Sequence, residues 1–378
     1  MNPPAPSFTL GVEEEYLLVD RETRDLVETP PEGLLQDLQE RLGERVSPEF
    51  LRSQIEVGTG VCQGVREARW ELARLRRTVA EAAERYGLAP IAASSHPFAH
   101  WTSQKPTEQK RYELLAEEMQ SVVRRLLTCA THVHVGVEGD ELRIDLMQQA
   151  SYFLPHLLAL STSSPFWVGK DTGLKSYRVA VMDQLPRTGL PERFESWTDY
   201  RRHLETLTGA GLIEDDSMIW WDIRPSPHFP TLEMRITDVC TRLEDTVCIA
   251  ALYASIIRML YRLKLQNQRW RIYTNMLIRE NRWRAQRYGF DAGLIDFGRG
   301  EIVPCSDLLE ELIEIVRPDA YEAGCLPEVL HAREILRRGT SAHRQLDLYH
   351  REVEEGTEPE EALRKVVDML VQETVQGI

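Results

Sequence analysis

Four stretches of this chain set polar, chemically capable residues two positions apart inside an apolar alternation, which favours a sheet with one functional face. They are Glu13 and Glu15 in FTLGVEEEYLLVD, Gln54 and Glu56 in LRSQIEVGTG, His132 and His134 in THVHVGV, and Glu233 and Arg235 in TLEMRITD. Residues i and i+2 of a strand project from the same face. Phe8, Leu10, Val12, Tyr16 and Leu18 then oppose Glu13 and Glu15, Val133 and Val135 oppose the histidines, and Met234 and Ile236 oppose the Glu–Arg pair. If these strands share a sheet, one face gathers carboxylates, imidazoles and a guanidinium, a mixture that suits divalent cations and phosphate.

Bulk properties narrow the class. The chain of 378 residues is 42% hydrophobic and 28% charged, as expected of a globular core. Its net charge of −15 argues against nucleic-acid binding, which needs a basic footprint, but leaves room for a local nucleotide site. No uncharged apolar run reaches the roughly 18 residues of a membrane span, and MNPPAPSFTL lacks the parts of a signal peptide, so a cytoplasmic protein without membrane contact is expected. The six cysteines (Cys62, Cys129, Cys240, Cys248, Cys305, Cys325) are scattered without a C-x-x-C, which fits reduced thiols better than disulfides or a zinc site.

Strands are expected over 8–19, 51–58, 89–94 and 131–137, and as a hairpin over about 217–224 and 230–238 around PSPHFP. Helical periodicity predicts helices over 65–86, 108–129, about 143–160 and 196–208. Thr241 and Glu244 have the spacing of a capping box before a strongly apolar helix over 242–266. Beyond it, helices are expected near 274–288, 306–316, 327–338 and 359–375, and the Ser/Gly/Pro-rich 161–186 reads as a functional loop. Strands first and helices last predict one α+β domain over 1–378, with a β-rich sheet core to about 240 and a mostly helical 241–378.

Each candidate also has a plain reading. Glu13 and Glu15 could be the solvated face of an edge strand, but carboxylates side by side repel unless a cation neutralises them. Glu14 points the other way. Glu56 alone is a weak signal, and the His132/His134 pair has metal-ligand spacing yet could be structural. Imidazole leans toward Zn²⁺ or Fe, so a mixed site for Mg²⁺ or Mn²⁺ would use carboxylates with one histidine, leaving the other for hydrogen bonding. Glu233 could hold a metal while Arg235 clamps an oxyanion. Lys170, Lys175 and Arg178 lie in a loop with Gly169 and Gly173 and suit phosphate or carboxylate capture, unless that loop is merely exposed. Asn281 and Arg284, at i and i+3, could share an inward side of their helix. There is no Walker A motif: Ser164 stands where its first glycine would be, and Asp171 follows Lys170.

Together, GVEEEYLLVD, THVHVGV, SSPFWVGKDTGLKSYR, WWDIRPSPHFPTLEMRITD, ENRWRAQRYG and GTSAHRQL resemble the type 2 glutamate–cysteine ligase family, most closely its YbdK-like carboxylate–amine ligases, from about residue 8 to about 345. The resemblance implies a glutamine synthetase-like catalytic fold, a curved antiparallel sheet funnel backed by helices. It implies ATP- and Mg²⁺-dependent attack of a carboxylate, glutamate's γ-carboxylate, on the γ-phosphate, followed by capture of the acyl phosphate by an amine, with cysteine the default. It assigns metal binding to Glu13, Glu15, Glu56, Glu233 and His132 or His134, and catalysis to Arg178 and Arg235. The candidate substrate- and nucleotide-binding set is Lys170, Lys175, Tyr177, Arg178, Arg224, Asn281 and Arg284. A homodimer is the family expectation. Three alternatives stay open: a metal-dependent hydrolase using the H-x-H pair, a guanidino-type phosphotransferase of the same fold, and a nucleotide sensor without turnover.

Overall fold

The structure is a computed structural model that describes residues 5–108, 117, 119–120 and 122–378. Its centre is β1 (Leu10–Asp20), whose alternation buries Leu10, Val12, Tyr16 and Leu18 on one side. Around it stand β2 (Val46–Pro48), β3 (Gln54–Gly58), β4 (Leu88–Ile91) and β5 (Thr131–Gly136). Three short pairs follow or flank the later chain: β6 (Phe166–Trp167) with β7 (Lys170–Asp171), β8 (Thr188–Gly189) with β9 (Trp220–Trp221), and β12 (Leu294–Asp296) with β13 (Glu301–Val303). The main sheet is completed by β10 (Ile223–Pro225) and β11 (Thr231–Met234). Its order is β10-β11-β5-β1-β3-β2, with β4 also paired to β1, and every pairing is antiparallel.

Register follows from burial. A slip of one residue would turn the Val133/Val135 set outward and the histidines inward. The apolar face packs on the helix Val65–Glu84, through Ala68, Leu72, Leu75 and Val79, and on the helix Leu243–Leu265. The second helix is long and apolar enough to cross a membrane, but 78% of that window is buried by the rest of the chain. One charged group breaks the apolar face. Glu14 is fully buried and bound by Arg76, by the Tyr16 hydroxyl at 2.6 Å and by the Thr246 hydroxyl at 2.7 Å.

Several expectations change. The strand expected from residue 51 starts at Gln54. Part of the helix expected over 108–129 lies outside the described residues; its described end holds a single turn at Val123–Arg125 and no regular structure over 126–129. The Thr241/Glu244 capping box does not form, because Thr241 donates to the Ala92 carbonyl and Glu244 pairs with Arg69. The 161–186 segment is no plain loop: it holds the β6–β7 hairpin and the helix Tyr177–Met182. Helices Glu32–Leu42 and Ser341–Glu354 were not foreseen. All six cysteines are free and buried.

Candidate active site

The polar pairs meet along one row across the sheet. Ser47 on β2 faces Glu56 on β3, which faces Glu15 on β1; Glu13 faces His132 on β5; His134 faces Glu233 on β11, which faces Arg224 on β10. This row floors a cavity of about 1100 Å³. Arg178 and Arg235 reach it from the side, and Glu49, Gln54, Met182, Leu212, Trp220 and Phe229 contribute to its walls.

Hydrogen bonds hold each group in place. Glu13 lies 3.2 Å from His132 Nδ1 and 3.4 Å from His134 Nε2, the latter without hydrogen-bond alignment. His134 Nδ1 is paired with the Thr231 hydroxyl at 2.9 Å, which directs Nε2 toward the row. Glu15 accepts from the Ala130 N–H at 2.8 Å, and Glu56 from the Ser47 hydroxyl at 3.2 Å. Arg224 grips both oxygens of Glu233, at 2.9 and 3.2 Å, and Arg235 also bonds Glu233. Arg178 donates to the Ile236 and Arg235 carbonyls at 2.9 and 2.8 Å, just beyond the end of β11.

The row divides electrostatically. At the β2–β3 end, burial and then the Glu49 charge push Glu15 up to about 8, and burial with Glu49, Glu13 and Glu15 raises Glu56 well above the ordinary carboxylate range. Burial also raises Glu49. At the other end burial is outweighed. His132 and His134 draw Glu13 well below its usual range, and Arg235, Arg224 and His134 lower Glu233. Burial, then Arg235, pushes His132 down to about 4, whereas Glu13 and Glu233 overcome the burial of His134 and raise it.

These donors fit divalent cations. Three sets each place one ligand atom per residue within 4.8 Å of the others: Glu13–His134–Glu233, Glu13–Glu56–His132, and Glu15–Glu49–Glu56. Two ionised carboxylates about 4.8 Å apart would repel by about 3.5 kcal/mol at an effective dielectric of about 20, and in the third set, which contains no histidine, this repulsion adds to burial in raising Glu15, Glu49 and Glu56. A hard cation with oxygen ligands removes that repulsion, and the unaligned Nε2 of buried His134 offers a further lone pair.

Of the residues singled out from the sequence, Glu13, Glu15, Gln54, Glu56, His132, His134, Arg178, Arg224, Glu233 and Arg235 line the cavity. Five others do not. Lys170 is exposed on β7, Lys175 lies 3.5 Å from Asp291, and Tyr177 packs against Trp167. Asn281 and Arg284 do share one side of their helix, but they use it to hold the 292–295 backbone: Asn281 bonds Ile295 both ways, and Arg284 bonds the Gly293 and Ala292 carbonyls. Glu49 was missed, because it follows Pro48 outside any strand alternation.

An antiparallel sheet floored by acidic, imidazole and arginine side chains is a fold shared with solved ligases of the glutamate–cysteine ligase type. The solved glutamate–cysteine ligase of Francisella tularensis in complex with AMP superposes with a TM-score of 0.69 at 12% identity, over 97% of this chain and 89% of that one. A bifunctional glutathione synthetase from Pasteurella multocida also gives 0.69 at 15% identity; 98% of this chain is covered, spanning 53% of that longer enzyme. Residues 9–369 match the family model of glutamate-cysteine ligase family 2. A relative from Rhodospirillum rubrum, provisionally named glutamate–cysteine ligase 2, is 61% identical over 374 residues, 98% of this chain and 96% of its own. The chain therefore belongs to glutamate–cysteine ligase family 2 and is an ATP-dependent carboxylate–amine ligase of that type. The hydrolase, phosphotransferase and sensor alternatives give way to it.

Proposed function

We propose that the protein joins the γ-carboxylate of glutamate to an amine, cysteine by default, through an acyl phosphate, using ATP and Mg²⁺. The observation that carries this reading is the run of three overlapping donor sets, sharing Glu13 and Glu56, beside Arg178 and Arg235 in one cavity. A carboxylate oxygen attacks the γ-phosphorus and ADP leaves; the amine nitrogen then attacks the acyl carbon, phosphate departs, and the amine loses a proton. Glu13, Glu15, Glu49, Glu56, Glu233 and the two histidines would hold Mg²⁺, which when bound offsets the repulsion between the attacking carboxylate and the triphosphate.

The chain's own groups do the rest. Arg178 and Arg235 present guanidinium forks to charge building on the transferred phosphoryl group. Arg224 commits four of its five N–H groups to Glu233 and the Ile219 and Ser217 carbonyls, so its role is to orient that carboxylate. No side-chain nucleophile is needed.

Hydroxylamine tests the first step without knowledge of the acceptor, because it converts an acyl phosphate into a stable hydroxamate. With ATP, Mg²⁺ and glutamate, the expected product is γ-glutamyl hydroxamate with stoichiometric phosphate. Phosphate release that ignores both glutamate and hydroxylamine would overturn the reading. A phosphate assay across amines then identifies the acceptor.

A further inference from the structure

Beside the cavity lies a buried carboxylate that the proposed chemistry does not use. Asp238 is fully buried and follows β11 by four residues. It accepts three hydrogen bonds of 2.8 Å, from the Ser163 N–H, the Ser164 hydroxyl and the Ser176 hydroxyl, and Arg178 Nη1 lies 3.7 Å away. Ser164 serves twice, since its oxygen also accepts from the Arg178 N–H at 3.1 Å. Ser176 stands at the N-cap of the helix Tyr177–Met182 yet accepts nothing there; its hydroxyl hydrogen goes to Asp238 instead. The two loop strands thus clamped, at Ser164 and Ser176, form a parallel bridge, and Arg178 leaves that bridge directly.

A second layer supports the clamp. In GTSAHRQL the Thr340 hydroxyl meets that of Thr162 at 2.7 Å, the Ala342 N–H donates to the Thr162 carbonyl at 3.0 Å, and Gln345 donates to the Ser163 carbonyl at 2.9 Å. This motif therefore touches the loop that carries Arg178 and not the cavity itself.

We propose that Asp238 is a positioning residue that sets the Arg178 guanidinium over the carboxylate row, with the 340–345 segment bracing it from behind. This rests on the reading of Arg178 as a group that acts on the transferred phosphoryl. Each Nη of Arg178 gives one hydrogen to a carbonyl just beyond β11 and keeps a second for the cavity, so a loop displaced by loss of the Asp238 clamp pulls the fork off those two anchors. A misplacement of about 1 Å can cost about 10²-fold in rate.

The test is hydroxamate formation from ATP, Mg²⁺, glutamate and hydroxylamine by wild-type protein, Asp238→Asn, Arg178→Lys and the double variant. Asp238→Asn should lose about 10²-fold in kcat while KM for ATP stays within about twofold. Arg178→Lys should lose a comparable amount, and the double variant should be no slower than the slower single one, because both changes remove the same fork geometry. Independent losses that multiply, or an unchanged kcat in Asp238→Asn, would overturn the positioning role and leave the ligase reading intact. A wild-type rate in Arg178→Lys would instead remove Arg178 from the chemistry, and absence of hydroxamate from wild type would remove the ligase reading; either outcome takes this proposal with it. If Asp238→Asn does not fold, Ser176→Ala takes its place. It deletes one of three donors, with a loss of about fivefold to tenfold expected and the same non-additivity with Arg178→Lys.

Discussion

Replacing Arg76 with methionine would remove the guanidinium bonded to buried Glu14, between the two carboxylates that face the cavity. Both side chains are wholly inaccessible. Arg76 Nε lies 2.9 Å from Glu14 Oε2, and the same guanidinium donates to the Thr241, Cys240 and Thr374 carbonyls at 2.6, 2.9 and 3.3 Å. One group thus ties β1 to the entry of the Leu243–Leu265 helix and to the last turn of the Pro359–Thr374 helix. Breaking one side of a buried ion pair costs about 3–5 kcal/mol, and a Coulomb estimate of about 4 kcal/mol at 4 Å with an effective dielectric of about 20 agrees. Burial raises Glu14 but the charge and hydrogen bonds of Arg76 outweigh it, so its folded value lies below the ordinary 4.5. In wild type its contribution is present above the unfolded value and is lost as pH falls through the folded one. Without Arg76, burial places the folded value above 4.5, so the variant weakens as pH rises past that point. Urea unfolding of both proteins from pH 7 down to pH 4 should therefore show a gap of about 3–5 kcal/mol that narrows toward acid. A gap below about 1 kcal/mol at pH 7, or one that does not change with pH, would refute the argument.

Glu15→Gln and Glu233→Gln should each lower hydroxamate-forming kcat by at least about 10²-fold; near-normal kinetics would take them out of the site. Glu15→Gln, at a carboxyl that burial and Glu49 hold up to about 8, should leave the thermal midpoint nearly unchanged, whereas Glu233→Gln breaks the buried pairs with Arg224 and Arg235 and should lower it. Arg235→Lys should lose a similar factor because an ammonium replaces a planar fork, and wild-type kcat would reject the clamp. Mg²⁺ binding at pH 7 should release protons: Glu15, held up to about 8 by burial and Glu49, must ionise to act as a ligand. Calorimetric titration in two buffers of different ionisation enthalpy reads that number, which should fall toward zero above pH 9 and fails if it is zero at pH 7. Val168, a β-branched residue at φ 50° in the two-residue turn between β6 and β7, should give way to Asn with a gain of about 1 kcal/mol, read as a raised unfolding midpoint.

What could be read in advance follows one physical rule. A strand with one buried face repeats every two residues, so Glu13, Glu15, Glu56, His132, His134, Glu233 and Arg235 could be assigned to the cavity face from local sequence alone. The same period set Glu14 apart without naming its partner, because Arg76 lies 62 positions away on a helix face otherwise apolar. Lys170 and Lys175 do not line the cavity for the opposite reason: charge in a glycine-containing segment is visible locally, but the direction in which that segment presents it depends on what it packs against. That dependence runs through Asp238, 74 positions from Ser164, and through Thr340, 178 positions from Thr162. The ligand face is thus written in local periodicity, whereas the arginine that completes it is placed by pairings between distant parts of the chain. A variant of GTSAHRQL that perturbs turnover without touching the cavity is what this division of labour requires.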